Sequence, residues 1–255
     1  MKTSKLEQQY TKIAEYFNCP VSAVFMKKAG FHDQYITNVD ALKISKNKIY
    51  IAQKYLAIFY LFPFVKMIGI SGSVGSYTPR EEDDIDIVFV VRKDALWLTR
   101  FLDFVILNAW GVRRRRNSEN NKNKLCINLY LSYENLYLPN QDIYTAFQLF
   151  NVIPIYGEQT YSKLLNKNKS WLQRFIIDKT VFSYEPTFRS RFVSNFKNIL
   201  YYLIYPFVFL INHGLKTFQI AKLKTHDISK WSYSRDHIST YRQDVRKKVL
   251  EFINT

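Results

Sequence analysis

Cysteine is nearly absent from this 255-residue chain: only Cys19 and Cys126 occur, far apart and without Cys-x-x-Cys or Cys/His ligand spacing. That excludes a zinc-ligand constellation and a disulfide framework, and it fits a reducing cytoplasm. A secretory leader is missing too, because the opening MKTSKLEQQYTKIAEYF holds no apolar core followed by a small-residue cleavage site. Export is not expected. The longest apolar run, Ile199 to Ile211, is about thirteen residues and carries Pro206, whereas a bilayer span needs roughly twenty. It reads as a buried helix, with peripheral membrane association through this aromatic segment as the rival reading. No internal repeat is evident. Acidic side chains are scarce, 21 against 37 basic, for a net charge of +16. Such a balance favours polyanionic partners, such as nucleic acid, nucleotide phosphates or an anionic membrane surface, although it also serves solubility alone.

What is present is the material of a folded protein. Hydrophobic residues make up 47% and charged residues 23%, with aromatics rich at 17%, so extensive disorder is excluded and a sizeable core can be buried. Residues 5–17 and 46–62 carry apolar positions at helical spacing, and the segment between them reads as a turn and a short helix closing at Gly30. Val65 to Ile70, Ile85 to Val91 and Leu125 to Leu131 read as buried strands, and Asp94 to Trp110 as a helix packed on their sheet. From Gln141 onward helical patterns dominate, broken by the VIPIY run and Pro186, and residues 156–255 hold 17 basic against 7 acidic side chains. The reading is an α/β (α+β) chain in three parts: a small helical unit over 1–60, a mixed-sheet core over 61–140 and a basic, mostly helical region over 141–255.

The chemistry concentrates in ISGSVGSYTPREEDDIDIVFVV. A Gly-Ser turn leaves one strand and an Asp-x-Asp pair opens the next. Side chains two apart on a strand share a face, so Asp84 and Asp86 can both reach one divalent cation. Carboxylates together with substrate phosphates are the usual surroundings of Mg²⁺ in phosphoryl transfer. Gly72 lets backbone approach a phosphate, and Ser73 can offer its N–H and hydroxyl. Taken alone, Glu81 to Asp84 also fits a solvated acidic turn. Asp86, however, interrupts an apolar strand, where an unpaired carboxylate is costly and a metal would relieve that cost.

Gly72, Ser73, Asp84 and Asp86, set on consecutive apolar strands, resemble the signature of the DNA polymerase β-like nucleotidyltransferase superfamily, over roughly residues 62–135. The wider run PFVKMIGISGSVGSYTPREEDDIDIVFVVRKDALWLTRFLDF, with KLCINLYLSYENL, looks like a bacterial nucleotidyltransferase-domain group within it. The resemblance implies a mixed sheet flanked by helices, a bound nucleoside triphosphate and two Mg²⁺ ions. It also implies a winged-helix-like N-terminal segment, of which residues 5–60 would be a degenerate version. The superfamily places a third carboxylate on the later strand. Here that position falls on Asn128, which can ligate through its carbonyl oxygen but cannot act as a base, and Glu134 would substitute if the register shifted. The expected reaction is transfer of a nucleotidyl group from an NTP to an acceptor hydroxyl, on RNA such as a tRNA 3′ end, with a protein acceptor as a further option. An inactive protein of the same fold that binds nucleotide or nucleic acid is the alternative.

Arg113, Arg114, Arg115 and Arg116, followed by an Asn-rich stretch, read as an exposed loop whose guanidinium groups could bind nucleic-acid phosphates, or as a merely solvated loop. Trp171, Tyr201, Tyr202, Trp231 and Tyr233 could stack on bases, but aromatics at helical spacing more often form core. His213, His226 and His237 show no metal spacing, and Asp227 and Asp236 are expected to pair with them or face solvent.

Overall fold

The computed structural model describes residues 2–18, 23–31, 38–115, 120–177, 182, 188–224, 232–234, 236–239 and 243–254. Arg116, Cys19, Pro186, His226, Asp227 and Trp231 lie outside them. The chain opens with helices α1 (Lys2–Tyr16), α2 (Ala23–Ala29) and α3 (Val39–Leu56). Asn38 caps α3 by accepting the Ala41 N–H, while Asp40 in the first turn and Lys54 in the last complement the helix dipole. No strand precedes Val65 among the described residues.

Strand β1 (Val65–Ser71) then runs into the single-turn helix α4 (Gly72–Gly75), followed by β2 (Ile85–Val91), α5 (Leu96–Ala109) and β3 (Leu125–Ser132). β1 and β2 pair antiparallel with Ser71 opposite Asp86, and β2 and β3 pair parallel with Asp86 opposite Cys126. After α6 (Ile143–Phe150) come β4 (Ile153–Tyr156), α7 (Glu158–Lys167), α8 (Lys169–Leu172), the long α9 (Phe188–Lys224), β5 (Ser232–Tyr233), β6 (His237–Ser239) and α10 (Gln243–Asn254). The fold is mixed α/β, one six-stranded mixed sheet in the order β4-β1-β2-β3-β6-β5. Three of its strands lie beyond residue 140, so the sheet draws on both sides of the boundary drawn there from the sequence.

Period-2 alternation divides the core in two. Val88 and Val90 of β2 join Met67 and Leu131 on the face covered by α1, α2, α6, α7 and α10. Ile87, Phe89 and Val91 join Ile68, Ile70 and Leu125 on the other, under α3, α5 and α9. A large aliphatic or aromatic side chain fully buried there contributes about 1.5–3 kcal/mol, so each strand is held in register by its alternation.

The reading of Ile199 to Ile211 as a buried helix is corrected. The segment belongs to the 37-residue α9, which has Pro206 inside it. One side of α9 packs on α5, and the other leaves Leu203 and Leu210 each 72% exposed. The docked side carries unusual polar contacts. Asn212 accepts hydrogen bonds from the N–H groups of Trp97 and Leu98, and Gln219 donates to the Trp97 carbonyl. Trp97 and Leu98 sit in the first turn of α5, where N–H groups have no intrahelical partner, so α9 supplies the cap that Ala95 cannot.

Candidate active site

Gly72 and Asp86 define the geometry. The chain leaves β1 at Ser71 and turns through Gly72, whose φ of +64° is a left-handed conformation that glycine alone adopts freely. A Cβ on Gly72 would lie 2.2 Å from Oδ2 of Asp86. The Gly-Ser turn therefore rests directly on the carboxylate of the neighbouring strand. Ser73 begins the first turn of α4, and its hydroxyl donates to Asp83 at 2.9 Å.

The acidic loop before β2 is held from below by a residue with no counterpart in the motif. Lys48 of α3, only 1% exposed, donates to the carbonyls of Glu81 (3.0 Å) and Asp83 (2.7 Å) and to the Asn123 side chain (2.9 Å). Burial pulls its pKa down while the Asp83 and Glu81 charges oppose that. Asp83 also accepts the Arg80 N–H. With Asp83 so occupied, Asp84 and Asp86 remain as the pair facing one point.

Ligand atoms of Asp84, Asp86 and Cys126 lie within 4.8 Å of one another, a cluster able to hold a metal ion. Cys126 was not expected at a metal site. Its signal was available: position 126 shares a face with position 128 and lies in register with Asp86. Burial pushes the Asp86 carboxyl up to about 7, and the neighbouring Asp84 charge adds to the shift. Burial, followed by the Asp86 and Asp84 charges, pushes the Cys126 thiol up to about 12, so sulfur stays protonated and the hard oxygens dominate the donor set. Arg114 caps the cluster, donating to Asp84 at 2.6 Å and lying 3.7 Å from the Cys126 sulfur.

Asn128 reaches the same point by a distortion of β3. The register skips it between Ile87 paired with Ile127 and Val88 paired with Leu129. This bulge re-aims the side chain, as bulges beside functional positions do. Its amide donates to Asp86 Oδ1, and its oxygen accepts from the Cys126 thiol at 3.2 Å. Glu134 does not substitute for it. Glu134 follows the far end of β3, on the order of 20 Å away at ~3.3 Å per residue, where it pairs with Arg92 at 2.9 Å and accepts the Lys93 N–H.

The arginine run is not one exposed surface. Arg113 turns inward and donates to the fully buried Asp103 at 3.1 Å, while the Tyr130 hydroxyl donates to the other Asp103 oxygen. Arg114 serves Asp84, and Arg115 is exposed. Trp171 and Tyr201 are core, whereas Tyr202 and Tyr233 are exposed.

A cavity of about 610 Å³ is walled by Ser71, Val88, Leu129, Tyr144, His237 and Arg246 among others; Asp84, Asp86, Cys126 and Asn128 do not line it, and Ser71, the strand partner of Asp86, is its nearest link to them. Val88 is two residues from Asp86 on the same strand face, so the cavity lies on the side of the sheet that carries the acidic cluster. Its size and largely apolar walls suit a small organic ligand. His237, for which no role was expected, hydrogen-bonds Ser234 at 2.8 Å, and Arg246 clamps Asp142, the N-cap of α6. His237 comes from β6, a strand too short to show a period. Comparison of the chain with family models, with curated proteins and with solved structures finds no match.

Proposed function

We propose that this protein is a Mg²⁺-dependent nucleotidyltransferase with a polymerase β-like core, moving an NMP group from an NTP to an acceptor hydroxyl on RNA. The observation that carries the reading is the seating of the Gly72 turn against Asp86, with Asp84 converging on the same point. A phosphate-accommodating turn after one strand and two carboxylates at the start of its neighbour form the minimal apparatus for this chemistry. Asp84 and Asp86 would hold Mg²⁺, whose oxygen preference matches them, and the ion would stabilise charge on the phosphates. Gly72 and Ser73 bind the triphosphate through backbone N–H groups and the Ser73 hydroxyl, which Asp83 now orients. Arg114 neutralises Asp84 and is placed to pair with a phosphate oxygen when the cation takes that carboxylate. The cavity that Ser71 links to this cluster encloses the nucleoside. In the reaction the acceptor oxygen bonds to the α-phosphorus, the bond from that phosphorus to the bridging oxygen breaks, and pyrophosphate leaves. Asn128 cannot take the acceptor's proton, which therefore passes to water.

Incubation of purified protein with each labelled NTP, Mg²⁺ and total cellular RNA tests the proposal: label should enter RNA, and Asp86→Asn should abolish it. One observation favours a second reading. The Asn128 amide occupies Asp86, where the superfamily pattern has a third carboxylate, as in a fold kept for binding alone. On that reading neither protein transfers label, and both retain RNA.

A further inference from the structure

A helix apolar on all sides belongs inside a protein or against lipid, and α9 meets only half of that requirement. Tyr201, Val208, Asn212 and Gln219 are buried. On the opposite side, Phe196, Leu200, Leu203, Phe207 and Leu210 follow one another in alternating steps of four and three residues, and all are exposed, Phe207 by 70%. Ile199 and Ile211 widen this stripe. A contiguous apolar surface of this length marks an interaction site in a soluble protein.

The charge around it identifies the partner. From Phe188 to Lys224 there is no Asp or Glu, while Arg189 and Arg191 precede the uncharged stretch 198–215 and Lys216, Lys222 and Lys224 follow it; Lys197 turns back onto the Tyr60 carbonyl and the Tyr156 ring and takes no part. Basic ends about an apolar centre complement anionic headgroups above acyl chains. A second copy laid on the same face would bring basic ends together with no acidic partner on either helix, contrary to the charge pairing of helical dimers. The segment Asn195–Ala221 is long and apolar enough, by length and composition, to cross a membrane. Its other side, however, caps α5 through Asn212 and Gln219, and crossing would strip α5 of both contacts. We infer that the exposed face of α9 docks the protein on an anionic lipid bilayer, with the helix lying along the headgroup plane. The inference stands independently of the transferase reading.

Sedimentation of the full chain with vesicles of phosphatidylcholine alone, or containing about a third phosphatidylglycerol, tests it. Binding should be about tenfold stronger to the anionic vesicles and should fall about tenfold in Leu203→Asp/Leu210→Asp. Circular dichroism should be unchanged, because both side chains are solvent-exposed. If the aspartates disturb folding, Leu203→Gln/Leu210→Gln gives the same comparison. Protein that stays in the supernatant with both vesicles, or variants that bind as well as the parent, overturns the inference. So does light scattering that finds a dimer in the parent and a monomer in the variant, since a second copy would then cover the face.

Discussion

Asn128→Asp separates a degraded metal site from a binding fold. In the parent, the Asn128 amide donates to Asp86, and a hydrogen bond to a charged acceptor is worth about 1.5–3 kcal/mol. The substitution removes that donor and sets a second carboxylate against Asp86. Two such charges about 4 Å apart repel by roughly 4 kcal/mol at an effective dielectric of 20. Protonation of Asp86, whose carboxyl already lies at about 7, relieves part of this. The metal-free variant should therefore be less stable by about 2–4 kcal/mol at pH 8, a fall in melting temperature of roughly 5–10 °C for a chain of this length. Mg²⁺ should restore it. At a hundredfold excess over its dissociation constant the ion adds about 2.7 kcal/mol, most of the loss. Scanning fluorimetry in EDTA and in Mg²⁺ reads both quantities, and the parent, with two carboxylates beside Arg114, should respond less. A variant as stable as the parent in EDTA, with no larger response to Mg²⁺, would refute the placement of Asn128 at the metal cluster. Under the transferase reading the variant should also turn over faster at low Mg²⁺.

Gly72→Ala forces a Cβ to 2.2 Å from Asp86 at a φ of +64°, so urea unfolding should show a loss of at least about 2 kcal/mol. A loss under 0.5 kcal/mol would show that the turn moves freely off the carboxylate. Lys48→Met strips the Glu81 and Asp83 carbonyls of their buried donor and should cost roughly 3 kcal/mol. It should also loosen the 81–84 loop, read as faster amide hydrogen exchange there. Burial first, then the Arg92 and Lys197 charges, pull Lys66 from 10.5 to about 8. Between those values the unfolded chain holds the extra proton, so the Lys66 contribution to stability rises with pH across that window. Lys197, also pulled to about 8 by burial, adds a gain of its own in both proteins, so urea titrations of the parent and Lys66→Met at pH 7.5 and 10 should show the larger gain in the parent, and equal gains would refute it.

The central strands were legible because Val65 to Ile70 and Ile85 to Val91 are apolar, β-branched runs buried on both faces, a pattern that survives any tertiary context. α5 was legible by length. The last two strands were not, since two or three residues carry no period and pair only where a neighbour's edge is already in place. At the site, Asp84, Asp86 and Gly72 could be read from spacing and Asn128 only through the family resemblance, whereas Lys48 is a helical lysine like any other until the loop folds over it. Arg113 shows the same limit: only the fold reveals the buried Asp103 that turns it from solvent. For α9 the difficulty lay in composition, because a helix apolar on every side reads the same whether its second face meets protein or something else.

β6 carries a further consequence. It lies against β3 although more than a hundred residues separate Leu129 from Ser239, and it brings His237 to the cavity wall. During synthesis the β6 side of β3 must therefore wait until residues 237–239 have emerged from the ribosome. Such late closure slows folding and exposes a strand able to recruit a neighbouring nascent chain. The cavity cannot be walled in until β6 and α10 have docked, so any ligand that needs it can be held only after both are in place.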